Sequence, residues 1–139
     1  MATFNKFNSF VEAMAEKVHN LGSDTLKVML TNSAPVETNT QKSDLTDISA
    51  GNGYTAGGTA ATISSSAQSS GTYKLVLADV TFTASGGSIG PFRYAALYND
   101  TATNKELIGW WDYGSSITLA SGETFTVDYD ATNGVLTNA

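Results

Sequence analysis

The side chains able to do chemistry are few. His19 is the single histidine in 139 residues and there is no cysteine, so a thiolate nucleophile, a disulfide and a cysteine-held metal are all excluded. A Ser-His-Asp triad would have to be built on His19, and serine hydrolase chemistry is not the reading adopted. Near the expected end of a helix, where the dipole favours partial positive charge, His19 reads as a cap or surface residue. Asp128 and Asp130 share one strand parity, and Asp112 is a third acid on a neighbouring segment. Paired carboxylates would serve glycoside hydrolysis, and a cluster of oxygens would serve calcium; the reading adopted is strand-end aspartates facing solvent. The run from Gly51 to Gly58 has the glycines of a phosphate-cradling loop but lacks its Lys-Ser/Thr ending and its flanking strand and helix, so those glycines read as loop flexibility. No catalytic, cofactor-binding or metal-binding residue is assigned.

Aromatic residues are the second group with something to offer a ligand. Tyr94, Tyr98, Trp110, Trp111 and Tyr113 crowd one stretch and would make a platform for sugar stacking if they shared a surface. Neighbours on a strand point to opposite faces, so one of Trp110 and Trp111 enters the core and the other meets a second layer or a partner. The sequence leaves open which. A core plus a protein interface is the reading adopted, and a glycan or host-receptor surface is the alternative.

These aromatics must be carried by a hairpin. From Phe92 to Tyr98 and from Leu107 to Tyr113 residues alternate with a period of two about a polar turn, Asn99 to Asn104. Upstream, Phe4, Phe7, Phe10, Val11, Met14, Val18 and Leu21 recur at helical spacing, predicting one amphipathic helix with a Ser9–Glu12 capping box, or a start a turn earlier at Asn5 or Asn8, and a stop at Gly22. That helix covers the sheet, while a sharper alternative has residues 1–10 leave the domain as an arm that docks on a neighbour. Leu26 to Thr31 alternates as the first strand. Residues 32–58 lose all periodicity, with a short helical turn expected at Ser43–Ile48, and a loop of this length is usually functional; it is expected to contact a partner, with mobile decoration as the alternative. Thr59–Ala67 reads as a weak edge strand ending at a Gln68–Gly71 turn. The inward parity shifts near Ala78–Asp79, where a bulge or change of sheet is expected. Gly114–Ser116 separates Ile117–Leu119 as its own strand, Phe125–Tyr129 forms a long one, and Asn133-Gly134 turns the chain into a last short strand at Val135–Thr137.

About eight strands with turn signals every ten or so residues, and one N-terminal helix, predict a single all-β domain over 1–139. The expected architecture is an antiparallel β-sandwich, jelly-roll-like. Thirteen acidic against seven basic residues give a net charge of -6, which repels nucleic acid and anionic lipid. Charged residues make up 14% of the chain, well under the roughly 25% usual for soluble domains, leaving a polar, weakly charged surface suited to docking on protein. No signal peptide and no apolar run of membrane-spanning length is read in it, so a soluble product made in the cytoplasm is expected.

The run Gly90-Pro91-Phe92-Arg93-Tyr94-Ala95-Ala96-Leu97-Tyr98-Asn99-Asp100-Thr101, followed by Leu107–Gly114 and Ile117–Tyr129, resembles small structural proteins of tailed bacteriophages. With the opening helix and the Gly51–Gly58 loop, the similarity spans nearly the whole chain. The resemblance implies a non-enzymatic virion protein without a cofactor. Its first expectation is a capsid decoration or cement protein on the exterior of the shell, made in the host cytoplasm, with the major capsid protein and copies of itself as partners. A tail or head-tail component is the second expectation.

Overall fold

The computed structural model describes residues 2–139 of the chain; Met1, where the alternative docking arm would begin, lies outside them. In chain order the elements are β1 (Phe4–Lys6), α1 (Ser9–Ala15), β2 (Leu26–Thr31), β3 (Thr59–Ala61), β4 (Ile63–Ser69), β5 (Thr72–Leu77), β6 (Val80–Thr83), β7 (Ile89–Asn99), β8 (Leu107–Leu119), β9 (Thr124–Val127) and β10 (Leu136–Asn138). The fold is mostly β and antiparallel, and the described residues form one α-helix and ten strands where about eight were expected. They form a five-stranded sheet ordered β1-β8-β7-β2-β3, a three-stranded sheet β10-β5-β4 and a two-stranded sheet β6-β9.

The β7–β8 hairpin and β2 form the centre, and both of their faces are buried. On one face Leu26, Val28, Leu30, Ala95, Leu97, Ile108 and Trp111 pack in a single core with Leu75 and Leu77 of β5, Val80 and Phe82 of β6 and Val127 of β9. At two places the chain passes from one sheet to the next across a break of one or two residues. Thr62 separates β3 from β4, and Ala78–Asp79 separates β5 from β6, so the expected irregularity at 78–79 is a change of sheet. Asp79 Oδ1 accepts the Tyr129 N–H (2.9 Å), tying that corner to the chain beyond β9.

On the opposite face Met29, Ala96, Tyr98 and Leu107 meet Phe7, with Leu45 and Trp110 against them. Met29, of opposite parity to Leu26, Val28 and Leu30, is buried as well, because residues outside the sheet cover that side. Two segments supply the cover, and both depart from what periodicity suggested. The first is the N-terminus. Phe4–Lys6 pairs with Gly109–Trp111 as an edge strand, and the Phe4 ring occupies the space that a Cβ on Gly109 would fill. This pairing shortens the helix to seven residues, and residues 2–10 lie on their own sheet instead of reaching out as an arm. No Ser9–Glu12 capping box forms. The stop falls before Gly22: Lys17 adopts a left-handed φ of 67°, with Val18 N–H donating to Ala13 O (2.9 Å) and Lys17 N–H to Met14 O (3.5 Å), a Schellman closure.

The second cover is the long segment between β2 and β3, which is tied down instead of hanging free. A 3₁₀ turn at Lys42–Asp44, capped reciprocally by Gln41 and Asp44, starts one residue ahead of the expected turn. Lys42 N–H donates to Lys105 O (2.9 Å) and Leu107 N–H to Thr40 O (3.0 Å), extending the hairpin sideways. β3 pairs only with Leu26–Val28, so beyond it the edge of β2 needs other partners. Ile48 N–H donates to Leu30 O (3.3 Å), and Leu30 N–H donates to the buried Tyr54 hydroxyl (3.0 Å). That hydroxyl donates in turn to Asp47 Oδ1, Asp47 Oδ2 accepts the Gly57 N–H (2.6 Å), and the Tyr98 hydroxyl donates to Gly57 O (2.6 Å). Gly58, at φ +85°, lies so close to β2 that a Cβ would stand 1.8 Å from Val28 O. Close packing, not the expected flexibility, explains that glycine.

Downstream, Gly114 does not end a strand: β8 runs unbroken from Leu107 to Leu119, with register shifts against β7. β10 does not fold back on β9 but pairs with β5, Val135 N–H donating to Leu75 O (2.7 Å).

Replacing Tyr54 by Phe keeps the ring in the core but leaves the Leu30 N–H and Asp47 Oδ1 without their partner. Equilibrium urea unfolding is expected to show a loss of about 1–3 kcal/mol, with hydrogen exchange at Gly57 and Leu30 rising together.

A candidate functional site at the hairpin turn

A cleft of about 860 Å³ lies where the β7–β8 turn meets the segment after α1 and the β4–β5 hairpin; among its lining residues are His19, Asp24, Ser66, Tyr73 and Glu106. Its organiser is Asn99, the last residue of β7 and fully buried. Asn99 Oδ1 accepts the backbone N–H of Thr101 (3.0 Å) and of Ala102 (3.2 Å), an Asx-type turn that aims the amide nitrogen the other way. Asn99 Nδ2 donates to Asp24 Oδ2 (2.7 Å) and meets His19 Nδ1 at 3.0 Å. Because two backbone donors fix which end of the amide is oxygen, His19 Nδ1 must be the acceptor. The neutral ring therefore carries its proton on Nε2.

His19 is thus buried, at 5% exposure, where a cap or surface position was expected. It packs beside the Phe10 ring at 5.4 Å between centroids. Burial lowers its pKa below the usual histidine value, with the Glu106 and Asp24 carboxylates opposing that shift. Nε2 and Glu106 Oε2 are both enclosed and lack a protein hydrogen-bond partner. The lone pair at Nδ1 is committed to Asn99 and the opposite nitrogen is sealed from solvent, so this tautomer has no free base to present. The arrangement clamps the hairpin turn to the segment after the helix. Lys27 and Lys105 hold Asp100 on the adjacent turn at 3.2 and 2.8 Å.

The aspartates singled out from sequence do not converge. Asp112 forms a two-pronged pair with Arg93 (2.9 and 3.1 Å) on the surface, and the guanidinium holds its carboxyl below the usual range. Asp130 lies past the end of β9, not on it, and caps a turn: Oδ1 accepts Thr132 and Asn133 N–H, and Oδ2 accepts the Asn133 side-chain amide. Those bonds, led by the Asn133 backbone, lower its pKa. Asp128, also past β9, is exposed and lies by a shallow cleft with Ala2, Phe4 and Trp111. Among the described residues no group of three or more His, Asp or Glu side chains is placed to hold a metal ion.

Nor do the five aromatics share a surface. Trp111 is the inward tryptophan, buried between Phe4 (5.2 Å) and Tyr129 (5.4 Å). Trp110 lies half-buried on the other face against Phe7 at 4.6 Å. Tyr94 and Tyr98 are buried. Tyr113 stands edge-on to Phe125, and burial raises its phenol to about 12.

Sequence reading missed the Asn99–His19–Asp24 clamp because its members lie 80 and 75 residues apart. One signal was present: an Asn opening a turn bonds its own backbone readily, and its second set of donors then needs an acceptor. Compared with family models, with characterised proteins and with solved structures, the chain shows no match in any of the three. Among the described residues no helix is long and apolar enough to cross a membrane.

The buried histidine carries a pH signature. With the folded pKa depressed, the unfolded chain binds more protons near pH 6, so stability falls as pH drops below about 6.5 toward the folded value. Chemical denaturation between pH 7.5 and 5.5 is expected to show this decline, and His19→Gln is expected to flatten it while lowering stability at pH 7.5.

Proposed function

We propose that this chain is a non-enzymatic structural protein of a tailed-bacteriophage virion, acting as a decoration or cement protein on the capsid exterior. Its partners in this reading are the major capsid protein and further copies of itself. The observation that carries the reading is the employment of the polar residues. His19, Asn99, Asp24, Asp47 and Asp130 are each engaged in holding turns and loops in place, which leaves a stiff body whose faces and edges are what it has to offer. The resemblance of the Gly90–Tyr129 stretch to phage structural proteins supports the same conclusion, and a jelly-roll-like sandwich is the finer description of the fold that goes with it.

The net charge of -6 suits a position away from packaged DNA, whose phosphates it would repel. A cement acts by mass action: what binds the assembled shell and not its free subunits stabilises the shell, and many copies multiply small contacts. A tail or head-tail position uses the same rigid body at far lower copy number. The glycan alternative loses its motive, since Trp111, Tyr94 and Tyr98 are buried and Trp110 and Tyr113 occupy different faces.

Particles produced with and without this protein decide the matter. Shells lacking it are expected to assemble normally but to release their DNA at a lower temperature, and quantitative mass spectrometry of complete virions is expected to count hundreds of copies. Equal heat resistance would contradict cementing, a dozen copies or fewer would move the protein to the neck or tail, and absence from purified virions would end the proposal.

A further inference from the structure

Most of the strands that lie at the rim of a sheet are short: β1, β3 and β10 have three residues each, and β6 and β9, which make up the two-stranded sheet, have four. β4 is the exception. It has seven residues and pairs on one side only, with β5. Folded proteins blunt such a rim with charge, proline or a covering segment, because its free main-chain groups otherwise recruit another strand. From Thr59 to Gly71 the sequence, T-A-A-T-I-S-S-S-A-Q-S-S-G, contains no charged residue and no proline. The bulge at its start, between Ile63 and Ser65, leaves Ser65–Ser69 regular and exposed apart from half-buried Ser66.

The direction of the free groups follows from the turn. Ser70 and Gly71 both have positive φ, 51° and 84°, a two-residue type I′ turn closing on the Ser69–Thr72 pair. In an antiparallel ladder hydrogen-bonded pairs alternate, so Ala67 and Ser65 turn their N–H and C=O toward β5 while Ser66 and Gln68 turn theirs outward.

We infer that β4 pairs antiparallel with β4 of a second copy, about a two-fold axis through Ala67, joining two three-stranded sheets into one. Ser66 of each copy exchanges main-chain hydrogen bonds with Gln68 of the other, Ser65 faces Ser69, and Ala67 faces its own counterpart. The lack of charge identifies the occupant. About a two-fold axis one uncharged segment meets itself without penalty, whereas a strand that received a different protein would gain from complementary charge. The bulge selects this register, since a dyad nearer Ile63 would draw the irregular residue into the ladder. The inference deepens the self-association in the proposed function and does not depend on the capsid.

Sedimentation velocity of the isolated full chain tests it, with circular dichroism as a folding control. The wild type is expected to form a concentration-dependent dimer. Ser65 and Ser69 make no side-chain hydrogen bond and are exposed, so they can be changed cheaply. S65K/S69K sets lysine against lysine at both symmetric pairs and is expected to weaken the dimer about tenfold. S65E/S69K alters the same positions but sets glutamate against lysine, and is expected to restore it. A wild type that stays monomeric at about 100 μM, a double-lysine variant that dimerises as well as wild type, or a charge-paired variant that stays as weak as the double-lysine one would each overturn the pairing. Because free protein is measured, these failures leave the virion reading standing, and absence from virions leaves the strand pairing standing.

Discussion

Everything in this domain depends on one sheet being buried on both faces. β2 and the β7–β8 hairpin carry apolar side chains on each side: Leu26, Val28, Leu30, Leu97 and Trp111 toward the smaller sheets, and Met29, Ala96, Tyr98 and Leu107 away from them. A two-layer sandwich covers the first set only. The second requires a further layer, and the chain makes it from parts without regular structure of their own, Phe7 before the helix and Leu45 in the long loop. Burying apolar area is worth about 25 cal/mol per Å², so these irregular segments are held by the same force as the strands.

Holding a loop against a sheet brings main-chain polar groups out of water, and each must find a partner. The Leu30–Tyr54–Asp47–Gly57–Tyr98 series supplies them. It also explains the residue types there: two tyrosines provide hydroxyls at the end of apolar rings, an aspartate accepts from two directions, and Gly58 allows backbone to touch backbone. On the far side of the sheet, Asn99 does for the hairpin turn what Asp47 does for the loop.

Local pattern made the strands legible wherever one face decided the alternation. Leu26–Thr31, the Phe92–Tyr113 hairpin and the change of sheet at Ala78–Asp79 could all be read from residue order. The N-terminal helix was overread, because Phe4, Phe7 and Phe10 satisfy a helical spacing while Phe4 lies on a strand and Phe7 faces a different core from the other two. Phe4 fills the space over Gly109, Phe7 lies in the second core and Phe10 in the first. The long loop carried no period because its order comes from hydrogen bonds to distant strands. The buried state of His19 was invisible for the same reason, its partner being on the opposite side of a chain reversal. Asp128 and Asp130 illustrate the converse error, two acids of equal parity beyond the end of the strand that parity assumed.

The placement of β1 has a consequence for how the molecule is made. Its partner residues, Gly109 to Trp111, leave the ribosome more than a hundred positions later, and Asn5 reaches across that interval to the carbonyl of Trp110. Through most of synthesis Phe4 and Phe7 lack the rings they pack against, Trp111 and Trp110. Such distant closure makes acquisition of the native state a late, slow event, because the edge strand that closes the sheet waits for the last-made half of the hairpin.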